Sequence, residues 1–202
     1  MIQEPSRRSA RPARGTEPPD GTGIPPRAPG APQPGEALVS HYRHCFGCGT
    51  DHPTGLHQRA TAGDGMDVVA VVEITEAHQG APGLAHGGVI ATAMDEAMGV
   101  VTRLLRLPVV TVRLEVDYRQ PVPVGTTLHI ASRITGQRGR KVYTEALGHL
   151  GSVDGPVAVE AAALFLQVPL EHFLDHGNAD QLKAAIDERR RTGVTWEGEV
   201  NP

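Results

Sequence analysis

Two cysteines in 202 residues cannot build a disulfide framework, and that scarcity points to a reducing compartment. Aromatic residues make up only 3% of the chain, so a core must be assembled from Val, Ala, Leu and Ile. Excess charge is also lacking. A formal net charge of −4 and a pI near 6.2 argue against a general binder of nucleic acid or anionic membranes. No stretch approaches the roughly 18 consecutive apolar residues of a membrane span. Arg7-Arg8 precedes no apolar run, so it does not read as a secretory or twin-arginine signal. The expected location is the cytoplasm.

Proline, by contrast, is concentrated. Nine of the 17 prolines fall between Pro5 and Pro34, and Ile2 and Ile24 are the only large aliphatics in residues 1–36. Such a segment buries too little apolar surface to offset its conformational entropy, so residues 1–36 are expected to be a disordered arm. Arg7, Arg8, Arg11, Arg14 and Arg27 offer at most a weak polyanion-binding surface. Residues 37–170 read as the folded domain, and residues 171–202 as a C-terminal helix, capped by Asn178 or Asp180, with a loose tail.

Within the domain, Met66–Ile74 is β-rich. Val109–Tyr118 alternates, with Val110, Val112, Leu114, Val116 and Tyr118 on one face and Thr111, Arg113, Glu115 and Asp117 on the other. Strands near 126–135, 140–150 and 156–168 follow, separated by glycine-containing turns, which predicts an antiparallel meander. Gly87–Leu105 breaks the series. It is rich in Ala, Met and Leu and apolar on all sides, the pattern of a buried helix.

That helix contains Asp95 and Glu96, and burying a carboxylate costs several kcal/mol unless something compensates. Pairing with Arg103 or Arg106 is the purely structural alternative. Just upstream, Gly83-Leu84-Ala85-His86-Gly87-Gly88 leads into the helix, whose first N–H groups are unpaired donors suited to an oxyanion or phosphate. Nine steps along one helix separate His86 from Asp95 by roughly 180° and 13 Å. One chain does not bring both to one atom, so the spacing favours a site shared across a twofold axis.

His86-Gly87-Gly88 followed by Asp95, with TVRLEVDYRQPVPVG from Thr111 and GRKVYTEA at 139–146, resembles the hotdog-fold acyl-CoA thioesterases of the PaaI type. Cys45-Phe46-Gly47-Cys48-Gly49 and Gly55-Leu56 resemble a subgroup of that family, and the likeness covers about residues 45–168. The resemblance implies an α+β hotdog fold: a long central helix wrapped by a five- to six-stranded antiparallel sheet, working as a homodimer or a dimer of dimers. It implies Asp95 as catalytic acid, acting as nucleophile or as general base, and Gly87 as the N–H that polarises the thioester carbonyl from the partner subunit. His86 would orient the thioester and Thr111 would position water or the carboxylate. Gly88, Gln79, Arg140 and Lys141 would contact substrate, the last two near the nucleotide of CoA. Glu96 is a second candidate acid. No separate cofactor is implied, CoA being part of the substrate.

His41, His44, Cys45, Cys48 and His52 are the right residue types for zinc, and C-x-x-C is a normal ligand spacing. No second such pair follows, so the default expectation is a structural loop without metal. Two other functions use the same fold: an acyl-CoA sensor without hydrolysis, and a hydroxyacyl-thioester dehydratase. An acid buried in the helix favours the hydrolase over the sensor, and the HGG entry fits the dehydratase less well.

Overall fold

The computed structural model describes residues 15–192, with side chains as far as Asp187. Five strands come first: β1 (Ala37–Leu38), β2 (Arg59–Ala62), β3 (Asp67–Glu73), β4 (Gln79–Ala81) and β5 (Leu84–Ala85). Helix α1 (Gly87–Val101) follows, then β6 (Val109–Tyr118), β7 (Thr127–Arg138), β8 (Lys141–Leu150) and β9 (Val157–Gln167). Two helices, the short α2 (Glu171–His176) and the longer α3 (Ala179–Thr192), come last. Among the described residues, no helix is long and apolar enough to cross a membrane.

Seven strands form one antiparallel sheet in the order β1-β2-β3-β7-β8-β9-β6, while β4 and β5 pair as a separate ribbon leading into α1. The sheet is therefore larger than the five or six strands expected, because the short β1 and β2 extend it beyond β3. The long strands form where apolar residues alternate, and the hairpin between β7 and β8 turns at Gly139, whose φ of 58° suits a residue without Cβ.

Helix α1 lies across this sheet and packs against β3 and β6 to β9. Ile90, Ala93, Met94, Ala97, Met98 and Val101 are buried against it. The fit is tight beneath Met94. A Cβ at Gly148 on β8 would lie 2.5 Å from Val159 Cγ1 on the neighbouring β9 and 3.4 Å from Met94 Sδ, so glycine makes room for the valine that packs under the helix. The expectation that α1 is buried all round needs correction. Gly88 is exposed, and Ala91, Thr92, Asp95 and Gly99 are only partly covered. One sheet covers one side of a helix, and Asp95 lies on the other side.

The proline-rich arm also departs from expectation. Residues 15–36 do not hang free but run as a strap over the domain. Ala28 N donates to Leu104 O at 2.8 Å, Gln137 N to Gly23 O at 3.0 Å and Gly35 N to Ala62 O at 2.8 Å. Thr16 and Ala31 are buried. Arg27, expected as part of a polyanion-binding arm, instead donates to the carbonyls of Pro32, Gly63 and Gly65. The physical reason is that prolines restrict the unfolded chain, so backbone hydrogen bonds and the guanidinium groups of Arg27 and Arg106 hold a segment that has little apolar surface to bury. Arg7, Arg8, Arg11 and Arg14 lie outside the described residues. At the other end, Asn178 Oδ1 accepts from Gln181 N at 3.0 Å and caps α3.

Candidate active site

The β4–β5 ribbon delivers the chain into α1 at a built N-terminus. His86 is the N-cap, with extended backbone (φ −69°, ψ 133°), and its Nδ1 accepts from Gly88 N at 3.0 Å. That hydrogen bond puts the proton of a neutral imidazole on Nε2. A Cβ at Gly80 would lie 2.7 Å from His86 Cα, so the ribbon closes behind the histidine only with glycine there. Gln79 Oε1 accepts from Gly83 N at 2.8 Å and closes the turn, so any contact with a substrate carbonyl falls to its Nε2. Tyr118 Oη donates to Gly87 O at 2.7 Å, bracing the first helical residue from the end of β6.

Two turns further along α1, Asp95 is partly buried and Thr111 Oγ1 donates to its Oδ1 at 3.0 Å. Strict alternation along β6 puts Thr111 on the face opposite Leu114 and Val116. The structure corrects this with a bulge. Thr111 pairs with Phe165 and Arg113 with Leu164, leaving Val112 as the extra residue, 57% exposed. The bulge reverses the parity, so Val109, Thr111, Leu114 and Val116 share the face toward α1. Without it, Thr111 would point away from Asp95.

Burial pushes the Asp95 carboxyl above the ordinary aspartate range, and the Thr111 hydroxyl opposes part of that rise. Glu96 diverges from its neighbour. Cys45 Sγ lies 3.7 Å from Glu96 Oε2, and burial together with Cys48 pushes the glutamate up to about 7. Of the arginines expected as structural partners, Arg103 donates to Val39 O while its charge opposes part of the rise at Glu96, and Arg106 donates to Gly30 O.

Arg140 and Lys141 sit exposed at the β7–β8 turn. Lys141 pairs with Leu166 on β9, which pairs with Val110, so they occupy the end of the sheet that holds Thr111. Two strand spacings place Lys141 about 10 Å from β6.

Sequence reasoning missed Gln58 and Ser132. With its buried amide oriented to satisfy both neighbours, Gln58 donates to Ala93 O and accepts from Ala97 N, each at 3.1 Å. Ser132 Oγ donates to Ala97 O at 2.9 Å. Together they grip the turn of α1 that presents Asp95. A buried glutamine ahead of β2 gives no periodic signal of this role.

Residues 82–154 match the Thioesterase superfamily, a span that contains His86, Gly87, Asp95 and Thr111. The acyl-coenzyme A thioesterase THEM4 of Xenopus laevis is 38% identical over 90 residues, which is 45% of this chain and 40% of that protein. The chain thus spans well under two thirds of that relative's length. A solved thioesterase superfamily protein superposes with a TM-score of 0.57 at 26% identity, covering 68% of this chain and 70% of the other. The Escherichia coli PaaI protein superposes with a TM-score of 0.52 at 15% identity, over 56% and 81% of the two chains, a likeness of fold alone. The long helix laid across a large antiparallel sheet is the hotdog fold, and the span from 82 to 154, with its HGG entry, is similar to the Thioesterase superfamily.

Proposed function

We propose that the chain is an acyl-CoA thioesterase that hydrolyses an acyl-CoA to the free acid and CoA, at a site completed by two copies of the chain. The observation that carries this reading is Asp95: a partly buried carboxylate on the uncovered side of α1, oriented by Thr111 and raised in pKa by burial. In the same chain, Gly87 is eight residues away, about 12 Å along the helix axis. A second helix alongside in antiparallel orientation brings its own Gly87 N–H to Asp95. The open edge of β6, with Val112 and Tyr118 both more than half exposed, supports such pairing.

In that site the Gly87 N–H of one protomer polarises the thioester carbonyl at a helix N-terminus, and Asp95 of the other supplies the attack. As general base, the carboxylate takes a proton from water while the oxygen attacks the carbonyl carbon. The tetrahedral oxyanion collapses, the C–S bond breaks, and the CoA thiolate takes up the proton. As nucleophile, the same carboxylate attacks the carbonyl carbon and expels the CoA thiolate to give a mixed anhydride, which water opens to the free acid and the regenerated carboxylate, the released proton going to the thiolate. His86, through its Nε2–H, and Gly88 line the entry for the thioester. Arg140 and Lys141 attract the phosphates of CoA. The cytoplasm, where acyl-CoA and reduced thiols occur together, suits this chemistry.

The direct test is thiol release over a panel of short, long and aromatic acyl-CoAs. Turnover of at least one class is expected, and none across the panel would refute the reading. Both roles of Asp95 require the ionised form, so activity falls as pH drops through its raised pKa. Removing the Thr111 hydroxyl withdraws a hydrogen bond that stabilises the carboxylate. Thr111→Val should therefore shift the acid limb of the kcat/KM profile to higher pH than in the unsubstituted chain. An acid limb that stays in place would show that this contact does not tune the reacting group.

A further inference from the structure

The loop of residues 40–49 is built against α1 in a way that hydrolysis does not require. Its backbone is self-bonded, with Cys45 N donating to Tyr42 O at 2.9 Å and Gly49 N to Cys45 O at 2.8 Å. Two glycines allow the approach. A Cβ at Gly47 would meet Glu96 Oε2 at 2.3 Å, and one at Gly49 would meet the Arg43 and Cys45 backbone at 2.4–2.5 Å. Folding this way carries both thiols to the Glu96 carboxylate and places His41 Nδ1 3.3 Å from Cys48 Sγ.

We propose that His41, Cys45, Cys48 and Glu96 bind one zinc ion that fastens this loop to helix α1. Their donor atoms all lie within 4.8 Å of one another, and no other set of three such donors converges among the described residues. Tetrahedral zinc, with bonds of about 2.0–2.3 Å, sets its ligand atoms about 3.3–3.8 Å apart, within a small contraction of what is found. The donor set is chemically apt. Two thiolates and a carboxylate are acidic groups that repel one another when ionised, and a divalent cation with one imidazole reverses the sign of that interaction. Cys48 is buried and His41 exposed, so the site is anchored on one side and open to entry on the other.

The other candidate ligands are excluded by placement. His44 stacks edge-on against Tyr42 and His52 against Phe46. Four protein ligands close the coordination shell, which makes the ion structural and not catalytic. Its effect on the active site is positional. Glu96 adjoins Asp95, so the ion fixes the same turn of α1 from a direction about 100° round the helix from the Thr111 contact.

The test is the metal content of the full-length chain, purified reduced, which does not depend on the thioesterase reading. About one zinc per chain is expected, and cobalt substitution should give the thiolate-to-metal charge-transfer band and tetrahedral ligand-field bands of a two-sulfur site. Chelation should lower the Tm by roughly 5 °C or more. Cys48→Ser and Glu96→Gln should each lose zinc and become indifferent to chelator. Should either variant fail to fold, cobalt titration of the unsubstituted chain decides alone. A reduced chain that takes up neither zinc nor cobalt, or a Cys45–Cys48 disulfide that forms equally with zinc present, would overturn the proposal.

Discussion

Asp95→Asn is expected to lower kcat/KM for acyl-CoA hydrolysis by at least about a hundredfold, because amide nitrogen and oxygen neither take a proton from water nor attack a thioester. The same substitution should raise the Tm at neutral pH. Burial holds the Asp95 pKa above its unfolded value, so the folded chain binds this proton more tightly than the unfolded chain. Stability is therefore lost as pH rises from the unfolded pKa through the folded one, and the full cost is present at neutral pH. A neutral amide of the same shape does not incur it. Activity down with stability up identifies a carboxylate kept in place for chemistry. A loss of both would mean that Asp95 is structural, and near-normal turnover would remove it from the reaction.

Gly87→Pro is the second large effect, a loss of about a hundredfold in kcat with the fold retained. Proline at the first helical position removes only the N–H and is otherwise well accommodated. The local geometry accepts it. His86 already has the extended backbone that a following proline demands, and its cap bond runs to Gly88 and not to Gly87. A Cβ at residue 87 meets Tyr118 at 3.6 Å, ordinary contact. Unchanged kcat in a folded Gly87→Pro chain would show that this N–H does not hold the oxyanion.

The parts of this molecule that were legible in the sequence are those governed by period. Val109–Tyr118 reads as a strand from its alternation, and the Ala- and Met-rich segment from Gly87 reads as the one long helix. What failed involves contacts that period does not encode. The β6 bulge inverts which face Thr111 occupies, and a one-residue irregularity is invisible to an alternating pattern. The strap of residues 15–36 is held by Arg27, Arg106 and backbone groups, whereas its composition registers only a shortage of apolar side chains. Cys45 and Cys48 announce a metal-ligand spacing, but Glu96 lies 48 residues beyond Cys48 and reaches them only through the fold. Gln58 and Ser132 likewise act on α1 across the fold.

The central claim is that one active site draws Asp95 from one protomer and the Gly87 N–H from its partner. Mixing Asp95→Asn with Gly87→Pro chains, by co-expression or by unfolding and refolding together, tests it directly. In each mixed dimer one site carries both defects and the other neither. Random pairing should therefore restore thiol release to about a quarter of the unsubstituted level, far above either parent alone. Mixtures that stay at the level of the two parents, although mixed dimers are demonstrably formed, would contradict the shared site.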